Sequence, residues 1–582
     1  MLEGYLIKGG LVVDGTGAPA FRADVRVRGD KIQEIAPALQ RGHREREIDA
    51  SGCYVTPGFI ETHNHFDAPM WWMPTMDPMP AYGVTTSING LCGFSAAPVH
   101  NDPDIRKEMV DIFSFFEDIP QKPFLKELPW DWRSWSEYRA SLQRNVKLPV
   151  NFAAYVGHIA IRLAVMGMEA WDRAATPAEV KAMCAHLEDA LNAGAIGLSS
   201  NLLDHDSKDR PIPTMHADDA EWSALMDVLE RHEGAVLQVI VDFFMRFTGL
   251  PSSERITNLA RGRKLRVQIT GGVPTLQFQS FVAPAAKAAH EQRKAEGLDV
   301  WAGYHHLSPT TVVNFLSSLV FAQSNNYVWN EIVSASGEES KLALLADSEW
   351  RIRARGGWDA TFPQSPMLYA DQIFLFESET FVGPTGCTIA DYMKQTGAEH
   401  PSDALADWVL ENGIGSTLKI VDWPNDEELM VEMLKDEQAI GNISDSGAHA
   451  KMFCGVGDNV YLLTKYVRDE KKLTIEEAVR VLTGRIARHF NFHDRGLLKV
   501  GMRADLTVFN LQEIERRDIY KLYDVPDGEG GRTYRYTRDG APMRLTMVNG
   551  APTFDCGAFT GRFPGEYIGH SPDKADVAIA AE

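Results

Sequence analysis

The sequence predicts an α/β protein, with a (β/α)8 barrel as the leading arrangement and a smaller β module made from the two ends of the chain. In the middle of the chain, short apolar runs alternate with amphipathic helical patterns, which is typical of βα units around a parallel sheet. Both ends carry short alternating runs broken by glycine and Asp-Gly turns, the pattern of antiparallel strands, so we expect the ends to pair. A length of 582 residues accommodates both parts.

The elements follow in chain order. The strand patterns of the N-terminal end lie in YLIKGGLVVDGTGAPAFRADVRVRGDKIQEIAP, and those of the C-terminal end in GMRADLTVFNLQEI and MRLTMVNGAPTFDCGAFTGRFPG. Between them, the buried strand patterns are VNFAAYVGH, AIGLSS, GAVLQVIV and KLRVQIT. Helices are predicted after Thr176 and Thr474, because each threonine precedes a helical pattern with glutamate at the capping-box position.

We therefore divide the chain into residues 1–57, the first part of the β module; 58–495, the barrel; and 496–582, the rest of the module with a C-terminal tail. Two stretches fit neither pattern and are predicted to be insertions. One lies near 100–145 and is rich in Phe, Trp and Pro; the other lies near 513–543 and is rich in Gly and charge. The aromatic residues of the first are expected to pack a cap.

The composition narrows the classes of partner. Lys and Arg number 58 against 80 Asp and Glu, a formal charge of −22, which argues against nucleic acid or an anionic membrane as the natural partner. No apolar run has membrane-spanning length, and the N-terminus lacks a secretory pattern. The six cysteines are scattered without CxxC spacing, so no disulfide scaffold is indicated. We expect a cytoplasmic protein that acts on a small molecule.

The stretch GFIETHNHFDAP places two histidines at the end of a predicted strand. Because alternate side chains of a strand point to the same face, His63 and His65 project together. Neutral imidazole is a common ligand of zinc and similar metals. The pair predicts a metal site only if further ligands come from elsewhere in the chain.

Other polar groups also follow predicted strands, at positions far apart in sequence. Cys92 lies in NGLCGF, His158 in YVGHIAIR, and Asp445 in AIGNISDSGAHAKM, with His449 nearby. In a barrel, the carboxyl ends of the strands meet at one face and carry the catalytic groups. These residues are therefore candidates for one site.

The chain resembles the metal-dependent amidohydrolase superfamily. The resemblance is carried by VVDGTG, TPGFIETHNHFD, SDSGAH and the tail EEAVRVLTGRIARHFNFHDRGLLKVGMRADLTVFN. The elements NGLCGFSAAPV and VGHIAIR narrow it to the branch of N-acyl-D-amino-acid deacylases, or D-aminoacylases. The resemblance covers nearly the whole chain.

The resemblance implies a (β/α)8 barrel with a small β-sandwich built from both chain ends. It further implies that His63 and His65 ligate a metal, usually zinc, and that Asp445 is both a further ligand and the acid/base. Cys92 matches the cysteine that bridges metals in this branch, in the place of a carboxylated lysine. By analogy with such barrels, a homo-oligomer is expected.

In the D-aminoacylase branch, the fifth and sixth strands supply two more histidines. This sequence departs from the branch at those two strands. The equivalent segments here, AVLQVIVDFF and LRVQITGGVPT, contain none. We therefore expect one Zn²⁺ rather than two, held by His63, His65 and Asp445 with Cys92 near or bound to it. Other divalent metals remain open, and Asp242 is an alternative oxygen ligand.

The sequence identifies the residues that contact substrate less clearly than it identifies the metal ligands. His158 and Arg162 follow one strand, and His305 and His306 follow another. At most one of two adjacent strand histidines points inward. Arg162, Lys208 and Arg210 are compatible in charge with a substrate carboxylate, although long basic side chains are usually solvated.

Three functions are compatible with the sequence. The first is a metal-dependent hydrolase that cleaves the amide bond of an N-acyl amino acid or a related amide, with Asp445 moving the proton. The second is hydrolysis of a lactone, ester or cyclic amide at the same site. The third is a non-catalytic binding protein with a decayed site. Loss of turnover with a chelator separates the third from the others, and matched amide and ester substrates separate the first two.

Overall fold

The computed structural model describes residues 4–208, 210–241, 249–270, 283–307, 310–316, 328–361, 369–420 and 426–569. None of the helices in these ranges has the length and apolar character that crossing a membrane requires.

In chain order, the strands of the described residues are β1 Gly4–Val12, β2 Phe21–Arg28, β3 Lys31–Ala36, β4 Glu45–Asp49, β5 Tyr54–Pro57, β6 Phe59–Glu61, β7 His63–Asn64, β8 Val84–Asn89, β9 Asn151–Ala154, β10 Val156–Gly157, β11 Gly197–Leu202, β12 Val236–Val241, β13 Arg266–Thr270, β14 Val300–Gly303, β15 Thr311–Val313, β16 Ile373–Glu377, β17 Thr417–Ile420, β18 Ala439–Ile440, β19 Ile443–Ser446, β20 Leu506–Phe509, β21 Ile519–Pro526, β22 Arg532–Arg538, β23 Met543–Val548, β24 Ala551–Asp555 and β25 Ala558–Phe559.

The α-helices of the same residues are α1 Pro103–Glu117, α2 Gln121–Glu127, α3 Trp135–Asn145, α4 His158–Met166, α5 Pro177–Asn192, α6 Asp219–Arg231, α7 Gly249–Ala260, α8 Ala283–Ala295, α9 Asn330–Ser334, α10 Glu338–Ala346, α11 Ser348–Thr361, α12 Ile389–Thr396, α13 Pro401–Asn412, α14 Glu427–Lys435, α15 Asp458–Leu462, α16 Ile475–Leu482 and α17 Gly484–His489. A π-helix, Leu463–Asp469, continues α15.

The two ends of the chain form one sheet. Its order is β25-β24-β23-β20-β5-β1-β2-β3, with β4 paired to β1. The N-terminal and C-terminal halves join where β5 pairs antiparallel with β20, so the predicted pairing of the chain ends is confirmed. Apolar side chains that alternate along these strands pack into a separate core, which includes Val25, Val55, Leu506 and Met547.

Parallel strands occupy the middle of the chain. β6 pairs with β8 and β8 with β9. A second set runs β10-β11-β12-β13-β14-β18. β9 and β10 are separated only by Tyr155, and β19, which follows β18, pairs back to β7 beside β6. The parallel strands thus pair in the order in which they occur in the chain, and the last of them pairs with the first.

The predicted helix starts at Thr176 and Thr474 are confirmed. Each threonine is an N-cap whose side chain accepts from the backbone N–H of the glutamate three residues on, Glu179 or Glu477, and that glutamate accepts in return from the cap backbone. These reciprocal bonds satisfy amide donors that have no partner within the helix.

Replacement of Thr176 by alanine is expected to destabilise the protein by about 1 kcal/mol, because one amide donor of α5 loses its acceptor. Thr176→Ser keeps the hydroxyl and is the control. The midpoint of thermal unfolding measures the difference, and an equal loss in both variants would contradict the capping role.

The segment between β14 and β18 contains a unit that the sequence patterns did not separate. β15, β17 and β16 form an antiparallel sheet, and α9 to α13 pack beside it. Its own apolar core includes Trp329, Trp350, Trp358, Trp408 and Leu418. Strands and helices also alternate here, so the local patterns resembled further βα units.

The two predicted insertions contain local elements of their own. The first holds α1, α2 and α3, and its aromatic residues are buried in the main core, as Phe113, Phe124 and Trp132 show. The second holds the antiparallel hairpin β21-β22. The C-terminal end of α1 reaches the face where the parallel strands end.

Candidate metal centre

The first and last parallel strands place the predicted histidine pair beside Asp445. β19 runs parallel to β7, with Ile443 opposite His63. The backbone N–H of His65 donates to the carbonyl of Ser446 at 2.8 Å. The two imidazole rings project together, with centroids 5.3 Å apart.

The four predicted ligands converge. His65 Nε2 lies 3.2 Å from Asp445 Oδ1, and His63 Nε2 lies 3.8 Å from the same oxygen. Cys92 Sγ is 3.0 Å from His63 Nε2. Residues separated by several hundred positions in the sequence thus offer nitrogen, oxygen and sulfur donors to one small volume.

Glu117 also belongs to this cluster, and the sequence patterns did not predict it. It is the last residue of α1, and its Oε2 lies 3.5 Å from the Nε2 of both His65 and His449. His449 Nε2 is 3.6 Å from Asp445 Oδ2. The only signal in the sequence was an acidic residue at the end of the apolar helical pattern IFSFFED.

The cluster is buried, and part of it lacks hydrogen-bond partners. The side chains of His63, His65, Glu117 and His449 are 8% exposed or less, whereas that of Asp445 is 22% exposed. Among the described residues, His65 Nε2 and Asp445 Oδ1 have no hydrogen-bond partner beyond the 3.2 Å ion pair that they form with each other. Buried polar atoms are normally paired, and imidazole, carboxylate and thiolate are the donors that zinc and related ions prefer. The residues therefore fit a bound divalent metal.

Backbone conformation gives an independent indication of function. Cys92, Asp445 and His449 have φ values of 56°, 54° and 50°, in the left-handed region that residues other than glycine seldom adopt. Each such residue costs of order 1–3 kcal/mol and persists where the surroundings impose it, often at a functional site.

The charges of the cluster depend on burial and on one another. Burial lowers the pKa of His63 to about 3 and that of His449 to about 4, so both rings are neutral at pH 7, the form that binds metal. Burial acts against protonation of His65 too, but the Glu117 carboxylate raises the pKa of His65 to about 9. Burial acts to raise the pKa of Glu117, and the charge of His65 partly offsets this. Burial opposes ionisation of Asp445, but the surrounding histidines hold its pKa well below its usual range.

Of the adjacent histidines, His305 lies near the cluster. Burial lowers its pKa, and the charge of Asp445 partly offsets this. His306 Nε2 lies 2.7 Å from the carbonyl oxygen of Asp458 and is engaged outside the cluster. A contact of either residue with substrate stays a prediction.

His158 and Arg162 are not brought to the cluster. Both side chains are fully buried against Glu221, which is hydrogen-bonded to His158 Nε2 at 2.7 Å and paired with Arg162. His158 Nδ1 lies 2.9 Å from Ser200 Oγ. Because burial lowers the pKa of His158, a neutral ring donates to Glu221 and accepts from Ser200. In this arrangement both ring nitrogens of His158 and both terminal nitrogens of Arg162 are engaged within the protein.

The remaining candidates are placed as follows. Lys208 and Arg210 both pair with Glu108 on α1. Asp242 lies outside the described residues. On the fifth parallel strand, Gln238 Oε1 accepts from the backbone N–H of Cys92 at 3.2 Å, so this strand contributes an amide that positions the cysteine.

Metal-dependent hydrolases build their sites from buried histidines, carboxylates and cysteines of this kind. The sequence profile of the Amidohydrolase family matches residues 46–328 and 416–554. The chain belongs to this family, and the predicted resemblance is confirmed. It is a metal-dependent hydrolase of carbon–nitrogen bonds, so the prediction of an enzyme is confirmed as well.

Similar proteins and a similar solved structure are consistent with this family assignment. The chain is 36% identical to an N-acyl-D-aspartate deacylase of Alcaligenes xylosoxydans xylosoxydans over 87% of this chain and 85% of the relative. It is 26% identical to an N-acyl-D-glutamate deacylase of the same organism, over 94% and 93%. A crystal structure of N-acyl-D-glutamate deacylase from Bordetella bronchiseptica, complexed with zinc and a phosphonate inhibitor, has a TM-score of 0.65 at 23% identity, covering 98% of this chain and all of that one. The last comparison shows the shared fold.

Proposed function

We propose that this protein hydrolyses the amide bond of an N-acyl amino acid with water activated at a metal centre. The observation that carries the proposal is the convergence of His63, His65, Cys92 and Asp445 at buried strand ends, where His65 belongs both to a group with His63 and Cys92 and to a group with Asp445. The relatives named above act on N-acyl-D-aspartate and N-acyl-D-glutamate, which favours a substrate of this class.

His63, His65 and Asp445 would hold the metal, with Cys92 near or bound to it, and zinc is the ion that this donor set suits best. When bound, such an ion lowers the pKa of water and polarises a carbonyl oxygen. The neutral ring of His63 is already in its ligand form.

Asp445 is the group that moves the proton. Its side chain is the most exposed of the histidine and carboxylate side chains in the cluster, so substrate can reach it. Its carboxylate accepts a proton from the water that attacks the carbonyl carbon. It returns that proton to the leaving nitrogen as the C–N bond breaks, and a carboxylic acid and an amine result.

The last parallel strand pairs with the first, which supports a closed barrel. We infer a (β/α)8 barrel within 58–495, and a β-sandwich formed by 1–57 and 496–582. The metal cluster then lies at the carboxyl ends of the barrel strands, where catalytic groups of such barrels occur.

Hydrolysis of an ester, lactone or cyclic amide is the second candidate, because the proton transfer at Asp445 does not select the leaving group. Matched pairs of N-acyl amino acid and O-acyl hydroxy acid substrates with the same acyl group separate the two. A higher kcat/KM for the amide, relative to the uncatalysed rates, supports the proposal; a preference for the ester favours the alternative.

Removal of the metal by a chelator is expected to abolish hydrolysis, and addition of zinc is expected to restore it. The measurement is turnover of N-acyl amino acids together with metal content by plasma emission spectrometry. Turnover that persists in metal-free protein would contradict the mechanism. Absence of metal from protein saturated with zinc would contradict the site.

A further inference from the structure

Two polar side chains on neighbouring parallel strands hold the loop that carries Cys92. The backbone N–H of Cys92 donates to Gln238 Oε1 at 3.2 Å, and the N–H of Gly93 donates to Ser199 Oγ at 3.1 Å. We propose that Ser199 and Gln238 form a clamp of positioning residues, which fixes the backbone at Cys92. The clamp directs the thiol of Cys92 towards His63, and it rests on the proposed function because it serves the metal centre.

The two clamp residues occupy matching positions on adjacent strands. β11 and β12 are parallel neighbours, and Ser199 lies opposite Gln238 in their register. Both residues are fully buried, and because paired residues of adjacent strands point to the same face of a sheet, both side chains reach the same loop. The hydroxyl of Ser199 also donates to the carbonyl oxygen of Gly90 at 2.5 Å. The loop is thus bound at one carbonyl group and two amide groups.

The conformation of the loop requires such support. Gly90, Cys92 and Gly93 have φ values of 71°, 56° and 78°. Glycine adopts this left-handed conformation readily, but cysteine seldom does, and it persists there only where the surroundings impose it. Gln238 bonds the amide of the strained residue itself. Without this bond, Cys92 is expected to relax, and its Sγ is expected to move away from His63 Nε2, which now lies 3.0 Å from it.

Packing alone does not account for an amide at position 238. The other residues of β12, in the run VLQVIV, are all apolar. Burial of an amide is unfavourable unless its polar atoms are hydrogen-bonded, and Gln238 Nε2 has no hydrogen-bond partner among the described residues. An apolar residue would therefore suit the core better, and the bond to Cys92 gives the reason for a glutamine.

The next strand supplies an internal comparison. Gln268 on β13 lies opposite Gln238 in the register and is also fully buried. Its Nε2 donates to Thr270 Oγ1 at 3.1 Å, and its Oε1 lies 3.0 Å from His489 Nε2. The amide of Gln268 is thus engaged by its own strand and by α17. Two glutamines with the same burial and register therefore differ in the groups that they bind, and only the bond of Gln238 to Cys92 concerns the metal centre.

The test is a cobalt(II) titration of metal-free protein, followed by visible and near-ultraviolet absorption. The parent is expected to show a thiolate-to-cobalt band, which Cys92→Ser should remove. Gln238→Met keeps the length of the side chain without its amide. We expect this variant to bind cobalt about 10–100-fold more weakly, the range for partners that orient a metal ligand, and to lose intensity in the thiolate band. Ser199→Ala is expected to change both quantities in the same direction, whereas Ser199→Thr, which keeps the hydroxyl, should behave as the parent does.

Gln268→Met is the matched control, because it removes a buried amide from the same register position. It should keep the cobalt affinity and the thiolate band of the parent, even if it unfolds at a lower temperature. Circular dichroism verifies folding, and either clamp variant, Gln238→Met or Ser199→Ala, suffices if the other does not fold. Parent affinity and band in the folded clamp variants would overturn the clamp, as would an equal loss in Gln268→Met or a parent that lacks the band. The proposed function fails separately, if the parent binds cobalt with this band but does not hydrolyse amides.

Discussion

Asp445→Asn is expected to lower kcat/KM for amide hydrolysis by about 10²–10⁴-fold, the range that a positioned acid/base contributes. Asparagine has nearly the same shape but cannot accept the proton of the attacking water. Although burial opposes its ionisation, the surrounding histidines hold the pKa of Asp445 well below its usual range, so the parent carboxylate is ionised at pH 7 and can accept that proton.

Metal content measured on the same sample separates the two roles of this residue. Loss of metal and turnover together would assign Asp445 to ligation, and loss of turnover with metal retained would assign it to proton transfer. Asp436→Asn is the control. Asp436 also lies 3.2 Å from a histidine nitrogen, that of His290, but it precedes the strand segment that contains Asp445. Parent turnover in Asp445→Asn would contradict the mechanism.

Local sequence patterns were enough to predict those features that depend on a strand end or on the start of a helix. The alternation of GFIETHNH placed both histidines on one face, and the parallel order of strands placed Asp445 beside them. The capping threonines were predicted because a capping box is defined within four residues. Each of these features is determined by a few neighbouring residues together with the barrel pattern.

The sequence could not predict contacts that depend on how an insertion packs. Glu117 ends an amphipathic helix whose apolar face is readable, but its docking against the loop after β19 joins residues more than three hundred positions apart. The unit between β14 and β18 was missed for a related reason. Its separate core is a tertiary feature, while its strands and helices have the same local patterns as βα units.

The strand-end pattern also selected His158, and its charge selected Arg162, but both side chains pack among protein groups. A strand end fixes the backbone position of a residue, but the direction of its side chain depends on partners such as Glu221, which lies on α6. Burial of an arginine and a carboxylate is tolerated only when both are paired and hydrogen-bonded, and these residues meet that condition.

Glu221→Gln is expected to destabilise the protein by about 3–5 kcal/mol, because Arg162 then keeps its charge in a fully buried position without a counter-ion. The substitution preserves volume, so a cavity does not contribute. The midpoint of thermal unfolding, measured in the parent and the variant under the same conditions, reports the loss.

Glu188→Gln is a close match, since Glu188 also pairs with a histidine, His232, at 2.9 Å and an arginine, Arg231, at 3.1 Å, but its side chain is 40% exposed. Water screens that pair, so a loss below about 1 kcal/mol is expected. Steady-state kinetics below the unfolding temperature decide the role of the buried group. If the KM of Glu221→Gln is close to that of the parent, His158 and Arg162 stabilise the fold. If the KM of folded Glu221→Gln is raised tenfold, these two residues contact the substrate after all.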